Sequence, residues 1–93
     1  DRTVIAFADG DAWVNPTGSP ALATGGTGDI LTGMIAGLVA QFPKDWKHAV
    51  AAAVWLHGRA GELAAEELGE QPVIATDLLR YLPTAIAECR AAV

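Results

Sequence analysis

The segment Ala23-Thr24-Gly25-Gly26-Thr27-Gly28-Asp29 carries the strongest chemical signal in this sequence. It runs directly into Ile30, Leu31, Met34, Ile35, Leu38 and Val39, apolar residues at helical spacings. The start of a helix exposes backbone N–H groups that have no intrahelical acceptor, together with the positive end of the helix dipole. Glycines leave those N–H groups open, because no Cβ stands between them and a ligand. Such a start suits a phosphate. The pattern is not a Walker A loop, since no Lys-Ser/Thr follows the glycines, and it is not G-x-G-x-x-G, since Leu31 holds the last glycine position.

Asp29 adds a second element. A carboxylate beside a phosphate repels it, so its presence there asks for a further role. It can take a proton from an attacking hydroxyl or hold a magnesium ion. General-base catalysis contributes roughly 10²–10⁴-fold, and phosphoryl transfer otherwise needs positioning and charge stabilisation. The same residues also fit a flexible turn in which Asp29 is a helix cap or first-turn acid, favoured by about 0.3–1 kcal/mol. The residues alone leave the two readings open.

Other side chains invite weaker readings. His57, on an alanine-rich stretch, reads as a hydrogen-bonded packing histidine, and His48 as solvent-facing. Trp13, Trp46 and Trp55 read as core or interface residues. Asn15 and Thr17 read as residues that shape the loop before the glycines. Cys89, the single cysteine, has no basic neighbour in sequence, which favours a structural thiol over a nucleophile and suits a reducing cytoplasm. No metal-ligand spacing is present.

The elements that must position these groups follow from pattern. Thr3 to Ala8 and Ala12-Trp13-Val14 are strand-like, and Asp9-Gly10 between them predicts a hairpin with a type I′ turn. Asn15 to Gly28 reads as a loop. A helix is expected from about Gly28-Asp29. It is apolar nearly all round, so burial on several sides is expected, with Gly33 and Gly37 marking close approach of a neighbour. Phe42-Pro43-Lys44 interrupts, and Asp45 is a plausible N-cap for a second helix from about Trp46 to Leu68, ended by Gly69. Its packing stripe is Ala49, Ala52, Ala53, Leu56, Ala60, Leu63 and Ala64. Gly58 and Gly61 again imply close packing, while Lys47, Arg59, Glu62 and Glu66 can face water. Thr76 caps a segment Asp77 to Leu82, and Pro83 is expected to open a separate piece ending near Ala91.

Bulk properties set the outer limits. With 93 residues the chain is at most one small domain, yet 52% of it is hydrophobic, more than a lone small domain needs. It reads as a slice of a larger core or a subunit with buried interfaces. The net charge is −5, with pI near 4.7 and no Lys/Arg block, so nucleic-acid binding has no electrostatic footprint. The longest apolar run, Ile30 to Ala40, is too short to span a bilayer. The chain opens Asp1-Arg2-Thr3 without Met, which suits either an N-terminus that is not the natural one or a processed chain.

Two segments together carry a family likeness: Asn15-Pro16-Thr17-Gly18-Ser19-Pro20, and Ala23 to Gly33. They resemble the signature of the NAD(P)H-hydrate dehydratases, members of the ribokinase-like superfamily. Leu56-His57-Gly58-Arg59-Ala60-Gly61 and Ala75-Thr76-Asp77-Leu78 resemble the family's C-terminal helices. The likeness covers residues 1–93 as the C-terminal portion of a family domain. It implies an α/β fold: the C-terminal part of a ribokinase-like fold, a β-hairpin followed by packed helices.

The resemblance further implies a reaction. ATP or ADP, with Mg2+, phosphorylates the hydroxyl of the S epimer of NAD(P)H hydrate. Elimination then restores NAD(P)H. Gly26, Thr27 and Gly28 would contact nucleotide phosphate, and Asp29 would be the base at the substrate hydroxyl. Asp1, Arg2 and Thr3 resemble the end of a Lys-Gly-x-x-Thr nucleotide-binding segment. The remainder of the enzyme, in the same chain or another, is the implied partner; a homo-oligomer, a cytoplasmic location and no membrane or nucleic-acid partner are expected. Two alternatives stay open: a related small-molecule kinase, such as a hydroxymethylpyrimidine or hydroxyethylthiazole kinase, and a non-catalytic piece that binds a partner chain.

Overall fold

The computed structural model describes residues 3–19, 22, 26–69 and 75–91. Two strands form first, β1 (Thr3–Ala6) and β2 (Ala12–Asn15), paired antiparallel with Ile5 opposite Trp13 and Val4 opposite Val14. The turn differs from the expected type I′. That turn needs positive φ at both central residues, and no residue other than glycine has it here. Instead the Gly10 N–H donates to the Phe7 carbonyl (3.0 Å), the Phe7 N–H donates to the Asp11 carbonyl (2.8 Å), and Gly10 alone has positive φ, 99°. This is the three-residue hairpin loop closed by a left-handed glycine. The Asp9 carboxylate accepts from the Asp11 N–H (3.0 Å), which favours this longer loop.

Three helices follow: α1 (Thr27–Gln41), α2 (Trp46–Leu68) and α3 (Asp77–Ala91), with a short 3₁₀ turn at Pro43–Asp45 before α2. Helix α1 stops where the Phe42 N–H closes on the Leu38 carbonyl and Pro43 withdraws the next donor. Asp45 stands at the N-cap of α2 but makes no side-chain cap. Gly69 ends α2 with φ 84° and its N–H on the Ala65 carbonyl. Pro83 does not separate two pieces, because α3 runs through it. An internal proline costs about 3 kcal/mol by removing one ladder bond. Leu79, whose carbonyl loses that bond, lies on the exposed side with Pro83, where water can satisfy it. On the other side Leu78, Tyr81 and Ala85 are buried against α2 and hold the helix together.

The core lies between α2 and α3, where Ala60, Ala64, Leu78 and Tyr81 meet. Burying a leucine contributes roughly 1.5–3 kcal/mol, and Leu78 is the largest side chain fully enclosed. The expected stripe on α2 holds at Ala49, Ala53, Ala60 and Ala64, but Ala52 is exposed. Helix α1 is the larger departure. Thr27 is its one buried residue, and Gly33 and Gly37 have open space where close approach was expected. The reason is that α1 packs mainly on α2. Its Gly33, Met34 and Leu38 instead line a groove of about 230 Å³ with Leu56, Leu82 and Ile86.

Close approach occurs on α2. A Cβ at Gly58 would stand 2.8 Å from the Thr17 carbonyl carbon and 2.9 Å from its Cβ, and one at Gly61 would stand 2.6 Å from a Leu22 methyl. Gly58→Ala is therefore expected to destabilise the protein by about 1–3 kcal/mol through overpacking, read as a lower urea midpoint in equilibrium denaturation.

Candidate functional site

The loop that leaves β2 is fixed by its own polar residues. Asn15 and Thr17 are 5% and 7% exposed, so their polar atoms must be paired within the protein. The Asn15 amide donates to the Thr17 carbonyl (3.0 Å) and hydroxyl (2.9 Å), and that hydroxyl donates to the Trp55 carbonyl on α2 (3.0 Å). The Gly18 N–H donates to Glu62 Oε2 (3.1 Å). Both residues thus shape the loop, as their types suggest. Thr3 pairs with Asn15, so it sits at the open end of the hairpin, where the chain departs toward the glycine-rich segment.

Gly26 begins α1 with φ 92°, a left-handed conformation that a side chain rarely adopts. A Cβ there would also press on Ala75 at 3.1 Å. The first bond of the α1 ladder joins the Ile30 N–H to the Gly26 carbonyl (3.3 Å). The N–H groups of Gly28 and Asp29 precede it and have no acceptor within the helix. Gly28 is exposed, with nothing within 4 Å of where its Cβ would stand, and Asp29 is exposed in the same turn. The structure therefore gathers Gly26, Gly28 and Asp29 at one accessible helix start, suited to an anion with a carboxylate beside it.

Thr27 is placed differently. It is buried, and its hydroxyl donates to the Leu22 carbonyl (2.6 Å) while its own carbonyl accepts from His57 Nε2 (2.9 Å). Its side chain is turned into the protein, holding the turn. Asp1 and Arg2 lie outside the described residues, as do Ala23, Thr24 and Gly25.

His57 is the hydrogen-bonded packing histidine that its surroundings predict, 8% exposed. A carbonyl only accepts, so Nε2 carries the proton. His48 is exposed but sits beside Trp13, ring centroids 5.2 Å apart. The tryptophans are less enclosed than expected: Trp46 is 45% exposed, Trp13 and Trp55 half-buried. Phe7 joins Trp13 and Trp46 edge to face at 5.1 and 5.5 Å, and Lys47 pairs with Asp9 and, at 2.8 Å, with Asp11, tying the hairpin loop to α2. Cys89 is exposed and so fills no core position.

Like Lys47, two further residues expected to face water do more. Arg59 grips Glu88 of α3 through two bonds (2.6 and 3.1 Å) and Glu62 through a third (3.1 Å). The guanidinium holds the Glu88 carboxyl below its ordinary range. The i,i+3 spacing of Arg59 and Glu62 hints at that pair. Nothing local points to Glu88, or to Glu62 accepting from Gly18.

A family model described as NAD(P)H-hydrate dehydratase matches residues 1–84. The chain belongs to the NAD(P)H-hydrate dehydratase family. It is 53% identical over 83 residues to an ADP-dependent (S)-NAD(P)H-hydrate dehydratase of Bacillus subtilis, covering 89% of this chain and 30% of that protein. It is 52% identical over 84 residues to a bifunctional NAD(P)H-hydrate repair enzyme Nnr of Moorella thermoacetica, covering 88% of this chain and 15% of that protein. The structure of an ADP/ATP-dependent NAD(P)H-hydrate dehydratase from Bacillus subtilis, co-crystallised with ATP and Mg2+, superposes with a TM-score of 0.86 at 51% identity, over 92% of this chain and 31% of that one. The chain thus spans less than a third of the length of these relatives, and the family's α/β fold is the frame for its hairpin and helices.

Burial holds the His57 imidazole below its ordinary value of 6.5, against a weaker opposite pull from its bond to Thr27. A depressed pKa means that the fold favours the neutral ring. That contribution is complete above about pH 6.5 and is lost as pH falls through the lowered folded value. Glu88 and Asp9, depressed from 4.5 and 3.8, titrate lower and do not mask it. The melting temperature is expected to fall more between about pH 7 and about pH 5.5 in the wild type than in His57→Gln, which has no ring to protonate; thermal melts of both check this.

Proposed function

We propose that these residues form part of an ATP- or ADP-dependent dehydratase that returns the S epimer of NAD(P)H hydrate to NAD(P)H. The carrying observation is the accessible first turn of α1, with Gly26, Gly28 and Asp29 together, in a chain about half identical to a dehydratase of that name. Gly28, with no side chain and open space above it, lets phosphate oxygens reach the N–H groups of the turn. Gly26 supplies the backbone direction, and Thr27 contributes by fixing the turn. Asp1, Arg2 and Thr3 complete the nucleotide contacts in this reading, with Thr3 at the open end of the hairpin.

Asp29 takes the proton of the substrate hydroxyl as its oxygen attacks the terminal phosphoryl group, releasing ADP from ATP or AMP from ADP. The phosphate ester then loses inorganic phosphate as its C–O bond breaks. A proton leaves the neighbouring carbon, and the ring double bond returns. The step asks of this chain mainly positioning and charge stabilisation. No group of three or more potential metal ligands occurs among the described residues. Mg2+, which favours phosphate oxygens with one or two carboxylates, would be carried by the nucleotide phosphates and would neutralise part of their charge.

The same reading places the rest of the active site in the larger part of the relatives that this chain does not span. A homo-oligomer and a cytoplasmic location belong to it as well. Val4, Val14 and Phe42 offer exposed apolar surface for association, and no helix among the described residues is long and apolar enough to cross a membrane.

The test is to incubate the whole protein with NADH hydrate, Mg2+ and either ATP or ADP. The return of NADH absorbance is the expected result. A stable phosphorylated alcohol without NADH would point to a ribokinase-like kinase instead. In the active protein, Asp29→Asn should keep nucleotide affinity and lower turnover by about 10²–10⁴-fold. Unchanged turnover would remove Asp29 from its role.

A further inference from the structure

The stretch of α2 from Trp55 to Glu62 holds both ends of the glycine-rich segment. Upstream, the Trp55 carbonyl accepts from Thr17, Gly58 lies against Thr17, Glu62 accepts from Gly18, and Gly61 receives Leu22. Downstream, His57 donates to the Thr27 carbonyl. Helix α1 is also anchored at this end by Ile30, which packs against the core between α2 and α3. Thr27 is its one buried residue, and Ile30 and Leu31 are half-buried. That apolar contact acts at Ile30, C-terminal to the presented N–H groups, and Thr27 holds their N-terminal side. The turn is tied by polar bonds at Thr27, among them the one that His57 supplies from α2.

We propose that His57 is a positioning residue of the anion site: its Nε2–H, fixed on the Thr27 carbonyl, sets the direction in which the first turn of α1 presents the Gly28 and Asp29 N–H groups and the Asp29 carboxylate. The assignment rests on the dehydratase reading for its catalytic consequence, though not for the anchoring itself. The carbonyl and the presented groups belong to consecutive peptide units. A rotation of the turn about its upstream end would carry all of them together. Misplacement by about 1 Å in a phosphoryl-transfer site is enough for roughly hundredfold loss of rate. Affinity depends on fewer of the same contacts and falls less.

The experiment uses the whole protein with three substitutions. His57→Leu removes the donor, His57→Gln replaces it with an amide N–H of similar reach, and Ala85→Gly in α3 is a control that lowers stability away from the site. Amide exchange at Ile30 and Leu31 is measured without ligand, Mg–ADP affinity by calorimetry, and turnover by the return of NADH. His57→Leu is expected to speed exchange at those two amides, to weaken Mg–ADP about tenfold and to lower kcat about hundredfold. His57→Gln should recover most of each, and Ala85→Gly should change none of the three. If His57→Leu lowers the melting temperature like Ala85→Gly but leaves exchange, affinity and kcat at wild-type values, His57 is a packing residue only and the proposal is overturned. If the wild type neither binds Mg–ADP nor restores NADH while exchange still responds to His57, the anchoring stands and the dehydratase reading falls.

Discussion

Helix α2 can serve as a platform because it carries no side chain where Thr17 and Leu22 meet it. Where Gly58 and Gly61 lie, the backbone of α2 is the contact surface, and Thr17 and Leu22 rest directly on it. Glycine inside a helix costs about 0.8–1 kcal/mol each relative to alanine. The return is a loop that can approach near enough for the Thr17 hydroxyl to reach a main-chain carbonyl, Trp55. That carbonyl already belongs to a helix, so it can accept a second bond without leaving the ladder. A bulkier face would hold the loop away, and the start of α1, which follows within a few residues, would lose its reference point.

The adjoining face of α2 works by a different rule. Alanines at 60 and 64 bring α3 in close, and Leu78, Tyr81 and Ala85 fill the seam. Arg59 then spans from that seam to the loop side, bonding Glu88 on α3 and Glu62 on its own helix, while Glu62 accepts from Gly18. Planar guanidinium on carboxylate in a two-bond grip fixes geometry as well as distance. Loop, α2 and α3 are thus connected through one run of charge-assisted bonds. The site at the start of α1 is set by neighbours that are themselves fixed to one another.

Much of this was legible in the sequence. The glycine-rich segment announces a helix start with accessible N–H groups, because glycines and a following apolar helix are local facts. The length of α2 was readable from alanine-rich periodicity closed by Gly69, and the hairpin from two apolar runs around Asp9-Gly10. The turn type was not, since Asp9-Gly10 fits two loop lengths and the bond from Asp11 to the Asp9 carboxylate helps to select the longer one. Pro83 misled because a proline usually marks a boundary, whereas here the packing of Leu78, Tyr81 and Ala85 outweighs its cost.

What the sequence determined alone is chemistry of short range: which residues start and stop helices, where backbone N–H groups stand open, and that a carboxylate follows them. Tertiary structure decided which side chains hold that start in place, and it turned Thr27 inward while leaving Gly28 and Asp29 outside. The deciding bonds join Thr17 to Trp55, Gly18 to Glu62, Thr27 to His57 and Arg59 to Glu88, spanning 38, 44, 30 and 29 residues. Periodicity and turn chemistry act over a few residues along the chain. A hydrogen bond requires two atoms to meet within about 3 Å, and at such separations only the packing of the helices brings them there.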